Sequence, residues 1–298
     1  MRPRLRAYAD LLRLQFSFAW PILFVSGYLL ATSVYGGFSW TGIGRVALIG
    51  FFGFEAGFIL NDYVDRDLDR RDVEKGKLTG YWRPFGSRPI AEGLIPASHA
   101  RGLFILFTLI AAGLILTFPQ PHSVYVLLIM LYSFTIEVFY QEEKRNQKFP
   151  FAQLIGRTDF ALFPVAGYLV AGKPDLPAVL WFVFFYPFAL AHLGANDLID
   201  VKNDEARGMK TIPVLFGRKK NAYWIAGFSL IHGLAAILFM TRLGFIAQVG
   251  ILAGLLLILY ANSAILREKT PDATLRVLPC FHVAMILYAV CIGISAFG

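Results

Sequence analysis

A nine-residue pattern with one asparagine and three aspartates, N-D-x-x-D-x-x-x-D, occurs twice in this chain, each time after an apolar stretch. The two copies consist of Asn61, Asp62, Asp65 and Asp69, and of Asn196, Asp197, Asp200 and Asp204. On a helix, positions i, i+3 and i+7 fall within about 60° of one another, so each copy places three carboxylates on one face. Clustered carboxylates repel one another, but Mg²⁺ offsets that cost because it binds carboxylate and phosphate oxygens together. The patterns therefore predict a diphosphate held by Mg²⁺ on the six aspartates.

The composition is that of a membrane protein. Of 298 residues, 57% are apolar, and the mean hydropathy is +0.58. A soluble globular chain does not bury so large an apolar fraction. No segment has the charged, apolar and small-residue order of a cleavable signal, so we expect the first span to be retained. Apolar segments of about 20 residues, enough to cross a bilayer, predict nine transmembrane helices at about 14–36, 46–64, 102–118, 123–141, 150–172, 177–197, 221–240, 243–266 and 277–297.

The distribution of basic residues predicts the orientation of these helices. With the N-terminus on the cytoplasmic side, 24 of the 28 lysines and arginines fall on that side and three on the other, while Arg157 lies within a span. Because cytoplasmic loops carry the excess of basic residues, we expect both aspartate patterns at the cytoplasmic face. The net charge of +8 suits anionic lipid or a phosphorylated substrate there. The basic residues lie in separate loops, so nucleic-acid binding is not expected, and no obligate protein partner is evident.

An internal repeat accompanies the two patterns. Each is followed by P-x-x-x-G, at Pro89–Gly93 and at Pro213–Gly217. The copies lie four predicted helices apart, so they share one orientation. We therefore expect a single domain over residues 1–298, with repeats at about 14–141 and 150–266 and a ninth helix after them. Such a pseudo-symmetric bundle would hold a central chamber between its repeats, capped by the long cytoplasmic loops 65–101 and 198–220.

In these features the chain resembles the UbiA superfamily of intramembrane prenyltransferases over nearly its whole length. The resemblance rests on the nine predicted helices and the first aspartate pattern. It also rests on D-x-x-x-D at Asp200 and Asp204 preceded by Asp197, on R-P-x-x-x-G from Arg88, and on Y-x-x-x-K at Tyr140 and Lys144.

The resemblance implies an all-helical enzyme that moves an isoprenoid chain from a prenyl diphosphate to an apolar acceptor, with Mg²⁺ between the carboxylates and the diphosphate. It makes Lys144, Arg88 and Arg66 candidate phosphate contacts, with Tyr140 orienting Lys144 or a phosphate oxygen. Asn61 and Asn196 are further candidate substrate contacts. The acceptor stays open between a quinone-precursor aromatic and a glycerol-ether lipid phosphate, with haem and chlorophyll precursors also used in the family.

Several residues keep a second interpretation. Lys144 could be ordinary cytoplasmic charge, and Arg66 an ion-pair partner of the nearby carboxylates. His192 is expected to be a hydrogen-bonded packing residue rather than a catalytic one. Glu55 either forms a buried ion pair with Arg157 or positions the acceptor and takes its proton. Off the shared face, two further aspartates are expected to be solvated or paired with Arg70 and Arg71: Asp67 and Asp72.

Two other functions remain as alternatives. A CDP-alcohol phosphatidyltransferase would be expected to carry the element D-G-x-x-A-R, which this sequence lacks, and to have six spans rather than nine. A non-enzymatic transporter would usually place its acidic residues nearer the bilayer midplane.

Overall fold

The structure, a computed structural model, describes residues 3–297, and these residues form helices and connecting turns without a β-strand. The fourteen helices are α1 Pro3–Leu11, α2 Ala19–Tyr35, α3 Trp40–Asp69, α4 Leu78–Trp82, α5 Ala97–Ile115, α6 His122–Glu143, α7 Phe151–Gly156, α8 Thr158–Leu169, α9 Leu176–Ile199, α10 Val201–Arg207, α11 Ile212–Phe216, α12 Arg218–Met240, α13 Phe245–Glu268 and α14 Pro271–Ser295.

Within residues 3–297, seven helical segments are long and apolar enough to cross a membrane. The predicted count of nine spans is therefore not confirmed. The predicted span at 14–36 coincides with α2, which has only 17 helical residues. The predicted span at 150–172 is divided between α7 and α8, because the helix breaks at Arg157. The seven segments are Trp40–Asp69, Ala97–Ile115, His122–Glu143, Leu176–Ile199, Ile212–Met240, Phe245–Glu268 and Pro271–Ser295.

Two long helices, α3 and α9, carry the aspartate patterns at their C-terminal ends. The Ser39 side chain caps α3 by accepting a hydrogen bond from the backbone N–H of Gly42, and Asp175 caps α9 in the same way. The 30 residues of α3 extend about 45 Å, whereas a hydrocarbon core is about 30 Å thick. The last turns of α3 can therefore present charged side chains beyond the apolar layer.

Close backbone contact joins α2 to α8 at two glycines. A Cβ atom on Gly27 would collide with the carbonyl oxygen of Pro164, and one on Gly167 would collide with the carbonyl oxygen of Phe24. Small residues at such crossings let helix backbones approach closely in membrane proteins. This crossing fixes the position of the aromatic side chains that α2 and α8 contribute to the interior.

Replacing either crossing glycine with alanine should force α2 and α8 apart. We expect Gly27→Ala and Gly167→Ala each to lower the free energy of unfolding by about 1–3 kcal/mol, the usual cost of overpacking. Gly113→Ala is the matched control, because a Cβ there meets no atom within 4 Å. Denaturation in mixed micelles measures the three variants. Equal stability of Gly27→Ala and Gly113→Ala would contradict the close crossing.

Candidate active site

Two adjoining cavities lie between the helices, one polar and one apolar. The polar cavity has about 1010 Å³ of empty space, its opening to solvent included, and contains most of the predicted site residues. The apolar cavity has about 920 Å³, counted in the same way, and is lined mainly by aromatic and aliphatic side chains of α2, α3, α5, α6 and α8. The two share six lining residues, which therefore mark their junction: Arg13, Phe54, Phe58, Asn61, Arg157 and Phe160.

The first aspartate pattern places two of its three carboxylates in the polar cavity. Asp65 accepts a hydrogen bond from Lys144 Nζ at 3.1 Å and has Arg145 Nη2 at 3.4 Å. Asp69 pairs with Arg88 Nη1 at 2.7 Å. Both aspartates are nearly inaccessible, so these cations supply the charge neutralisation that buried carboxylates require.

Asp62 does not lie in the polar cavity with the other predicted metal ligands. Its carboxylate receives a bidentate pair from Arg83 at 2.8 and 2.9 Å, and a third contact from Arg13 at 3.0 Å. It does not line either cavity. Asp62 lies on the predicted face of α3. The guanidinium groups of Arg13, from the N-terminal segment, and of Arg83, from the α3–α5 connection, lie between its carboxylate and the polar cavity.

All three aspartates of the second pattern line the polar cavity. Asp197 is in α9, Asp200 joins α9 to α10, and Asp204 is in α10. Arg207 approaches Asp200 at 3.4 Å, and Thr211 donates a hydrogen bond to Asp204 at 2.8 Å. Burial is the largest influence on the pKa of Asp204, and together with the neighbouring Asp200 charge it raises this pKa well above its ordinary value.

Lys144 and Tyr140 lie at the end of α6, and Lys144 contacts Asp65 of the first aspartate pattern. Lys144 Nζ is 4.7 Å from the centroid of the Tyr140 ring and also donates to Gln141. The guanidinium of Arg157 lies 5.3 Å from the same ring. Tyr140 is therefore flanked by two cations, and its ring orients Lys144 toward Asp65.

The side chains of Asn61 and Asn196 differ in their hydrogen-bond partners. Asn61 donates to Glu137 Oε1 at 2.7 Å and accepts from Arg13 at 3.3 Å, which fixes its amide at the junction. Asn196 Oδ1 and Asp197 Oδ2 are buried without a hydrogen-bond partner among residues 3–297. Both residues line the polar cavity, and each carries one oxygen without a protein partner.

Arg66 lies away from both cavities. Its guanidinium stacks 4.6 Å from the Tyr63 ring and pairs with Asp67 at 3.6 Å. This position favours the ion-pair interpretation of Arg66 over phosphate contact. Asp67 is exposed and also pairs with Arg70 at 3.2 Å, as its off-face position predicted.

The expectation for Asp72 was wrong. Its side chain is fully buried, and it binds Arg88 Nε at 2.6 Å and Arg207 Nε at 2.6 Å rather than Arg70 or Arg71. The turn that follows α3 directs Asp72 back beneath the helix end, a reversal that helical periodicity does not predict. Asp72 thereby holds the two arginines that also contact the aspartates of the cavity.

Glu55 and Arg157 do not form the buried ion pair that was one of the two interpretations of Glu55. Glu55 is fully buried, and neither carboxylate oxygen has a hydrogen-bond partner within the described part of the chain. Arg157 instead lies over Tyr140 and lines both cavities. Glu55 lines neither cavity, so its position gives no support to a direct contact with the acceptor.

Three arginines important to the site were not singled out from the sequence. Arg13, Arg83 and Arg207 each bind aspartates of the two patterns. Arg13 has a left-handed backbone with φ of 46°, uncommon for a residue other than glycine and often found at functional positions. Arg207 lies one helical turn after Asp204, and this spacing is the signal that could have identified it.

The donor set of the polar cavity fits Mg²⁺. Five aspartates line it, two of its lining residues carry an unpartnered oxygen, and carboxylate oxygens are the ligands that Mg²⁺ prefers. Within residues 3–297, however, no three acidic, histidine or cysteine side chains converge closely enough to hold an ion as they stand. Lysine and arginine groups lie between them. Metal binding would therefore require these cations to move from the carboxylates toward a bound anion.

Comparisons with known proteins identify relatives of this chain. The chain is 26% identical to digeranylgeranylglyceryl phosphate synthase from Thermococcus kodakarensis over 258 residues, 84% of each chain. It is 29% identical to 4-hydroxybenzoate octaprenyltransferase from Shewanella woodyi over 231 residues, 76% of this chain and 71% of that one. A solved UbiA homologue from Archaeoglobus fulgidus, bound to DMAPP and Mg²⁺, has the same fold. Its TM-score is 0.66 at 18% identity, over 95% of this chain and 98% of that one.

The sequence profile of the UbiA prenyltransferase family matches residues 18–288. This match covers nearly the whole chain, including both aspartate patterns and all helices that line the two cavities. The chain therefore belongs to the UbiA prenyltransferase family, and it is an integral membrane protein.

Proposed function

We propose that this protein transfers a prenyl group from a prenyl diphosphate to an apolar acceptor and releases diphosphate, with Mg²⁺ as cofactor. The observation that carries the proposal is the junction of the two cavities. A carboxylate- and cation-lined cavity suits a metal-bound diphosphate, and the apolar cavity beside it suits an isoprenoid chain. The reacting carbon would lie between them.

The residues of the polar cavity divide into two proposed roles. Asp65, Asp69, Asp197, Asp200 and Asp204 would hold Mg²⁺, which neutralises charge on the departing diphosphate when bound. Cationic side chains would contact the diphosphate oxygens after leaving the carboxylates that they now pair with: Lys144, Arg88 and Arg207. Electrostatic stabilisation of a leaving group by fixed charges is a large contribution to catalysis.

Aromatic side chains at the junction would keep water from the reacting carbon. Trp20 stacks on Phe54 with ring centroids 3.8 Å apart, and Phe58 and Phe160 pack edge-on against them. An allylic carbon that has lost its diphosphate reacts readily with water, so exclusion of water favours transfer over hydrolysis.

Two classes of acceptor are consistent with this site. The relatives are named for a glyceryl phosphate lipid and for 4-hydroxybenzoate, so the proposal includes a glycerol-ether lipid phosphate and a quinone-precursor aromatic. An assay with Mg²⁺, prenyl diphosphates of several lengths and both acceptor classes tests the function. Prenylated product that requires Mg²⁺ is expected with one class, and no product with either would refute the proposal.

The proposal places the N-terminus and the α3–α5 and α9–α12 connections on the cytoplasmic side. There, free Mg²⁺ and a diphosphate headgroup are both available. The support is the excess of lysine and arginine on that side of the predicted topology. The proposal also treats the chain as one domain of two repeats, each supplying one aspartate pattern to the same cavity.

Loss of a proposed metal ligand should abolish transfer without loss of the fold. We expect Asp65→Ala and Asp200→Ala to lower kcat/KM by about 10²–10³-fold or more, since each removes a charge that holds Mg²⁺ at the diphosphate. Asp67→Ala is the matched control, because Asp67 lies on the same helix with its side chain 63% exposed. Near-normal turnover of either cavity variant, in monodisperse protein, would refute the assignment.

Asp62 should behave differently from the other five aspartates. Its removal leaves Arg13 and Arg83 buried without their shared carboxylate, so we expect Asp62→Ala to lower the free energy of unfolding by about 3–5 kcal/mol. Asp65→Ala, measured in the same mixed-micelle denaturation, should cost less, because Arg145 is partly exposed and Lys144 keeps its hydrogen bond to Gln141. Equal stability of the two variants, with Mg²⁺ affinity lost only in Asp62→Ala, would show instead that Asp62 is a metal ligand.

The orientation can be tested with single cysteines after Cys280 and Cys291 are replaced by serine. The two positions are Lys210, between α10 and α11, and Lys173, between α8 and α9; both are exposed, and each is changed to cysteine in turn. In oriented vesicles, a membrane-impermeant thiol reagent should label the first only from the cytoplasmic side and the second only from the opposite side. Labelling of both from one side would refute the topology.

A further inference from the structure

Three hydrogen-bonding side chains connect the polar cavity to the segment between α3 and α5. His192 of α9 lines the cavity, and its Nε2 lies 3.0 Å from Nε2 of His282 in α14. His282 Nδ1 lies 2.7 Å from the hydroxyl oxygen of Tyr81 in α4. The His192 ring also stacks 6.4 Å from the ring of Phe160, a junction residue, and has Asn196 Nδ2 at 3.5 Å.

A packing histidine is expected to have a hydrogen-bond partner at both ring nitrogens, and His192 does not. His232 does: its ring nitrogens bond to the carbonyl oxygen of Phe184 at 2.8 Å and to the hydroxyl of Tyr288 at 3.1 Å. His192 uses only Nε2, and its Nδ1 has no protein partner within residues 3–297. One nitrogen of this cavity-lining ring is therefore without a protein partner.

The distances allow two arrangements of the protons when both rings are neutral. In the first, His192 donates from Nε2 to His282, so Nε2 accepts nothing from the amide of Asn196; His282 donates from Nδ1 to Tyr81, and His192 Nδ1 carries a free lone pair. In the second, Tyr81 donates to His282, His282 donates to His192, and His192 Nδ1 carries a hydrogen. Passing from the first to the second takes up one proton at His192 Nδ1 and releases another from the Tyr81 hydroxyl, so the three side chains hold the same number of protons in both.

We propose that His192 is the base that takes the proton released by the acceptor, and that His282 and Tyr81 carry this proton outward. The inference rests on the proposed prenyl transfer. In that step the C1–O bond breaks and its electron pair leaves with the diphosphate. The acceptor oxygen or ring carbon bonds to C1 with its own electron pair, and its proton moves to His192 Nδ1.

The remaining transfers balance without another reactant. His192 gives its Nε2 proton to His282, His282 gives its Nδ1 proton to Tyr81, and Tyr81 releases its hydroxyl proton to water. Exchange with water after product release restores the first arrangement. Apart from His282, the rings around His192 are apolar, including Phe188, Phe281 and Trp82, so they provide no competing acceptor for the proton.

His192→Gln tests the role of the base directly. We expect kcat for prenyl transfer to fall by about 10²–10⁴-fold, the usual contribution of a general base. The KM for the prenyl diphosphate and the Mg²⁺-dependent affinity for an unreactive prenyl thiolodiphosphate should stay at the wild-type value. His282→Gln and Tyr81→Phe should lower kcat by a smaller factor. His232→Gln is the matched control and should transfer at nearly the wild-type rate.

Chemical rescue separates a base from a structural residue. His192→Ala leaves space for a small azole, and we expect added imidazole to restore part of the transfer rate, with weaker bases of the same size restoring less. Rescue that does not depend on basicity would overturn the proposal, as would wild-type kcat in His192→Gln. Should His192→Gln fail to fold, the azole series on His192→Ala decides. If the wild-type protein transfers no prenyl group to any acceptor, the proposed function fails, and this inference fails with it. If the wild type is active and His192→Gln is equally active, only the inference is rejected.

Discussion

The arrangement of this protein depends on the neutralisation of aspartates gathered at one end of its helix bundle. Six carboxylates of the two patterns, joined by Asp72, lie almost entirely out of contact with solvent. Buried carboxylates of like charge are unfavourable unless they are paired or bind metal. The chain meets this requirement with cations from four regions: the N-terminal segment, the α3–α5 connection, the end of α6 and α10.

This pairing explains how the same residues could bind a substrate. Lys144, Arg88 and Arg207 each lie against a carboxylate, so metal and diphosphate can exchange partners with these existing pairs rather than enter a site of uncompensated charge. Metal ions would take over the carboxylates, and the released lysine and arginines would take the phosphate oxygens. The total charge that must be buried changes little in such an exchange, whereas an isolated acidic cluster would have to fold against its own repulsion.

The sequence predicts the components of the site better than their partners. Helical spacing placed Asp65 and Asp69 on the cavity because periodicity is a local property. The second pattern reaches the same cavity although it does not lie on one helix: it is divided between α9, the link at Asp200 and α10. Asp62 shares that face, but its environment depends on Arg83 and Arg13, which lie 21 and 49 residues away in the chain. No local pattern encodes such contacts. The same limit applies to Asp72, whose burial depends on the reversal of the chain after α3.

Hydropathy has a similar limit for the fold. It located the apolar segments, but it did not detect that the segment at 150–172 breaks at Arg157, because a helix break leaves the mean hydropathy unchanged. That break puts a guanidinium at the junction of the two cavities. Features set by the tertiary arrangement of helices thus determine where the site's charges meet its apolar surface.

The most direct test of the central claim is electron paramagnetic resonance of Mn²⁺, substituted for Mg²⁺, with an unreactive prenyl thiolodiphosphate. If carboxylates and diphosphate bind one metal between them, the analogue should strengthen Mn²⁺ binding, and ³¹P hyperfine coupling should appear in the spectrum. Inorganic diphosphate should give the same coupling with weaker binding, because it lacks the chain that fills the apolar cavity. Mn²⁺ binding that is unaffected by the analogue, without ³¹P coupling, would contradict the account.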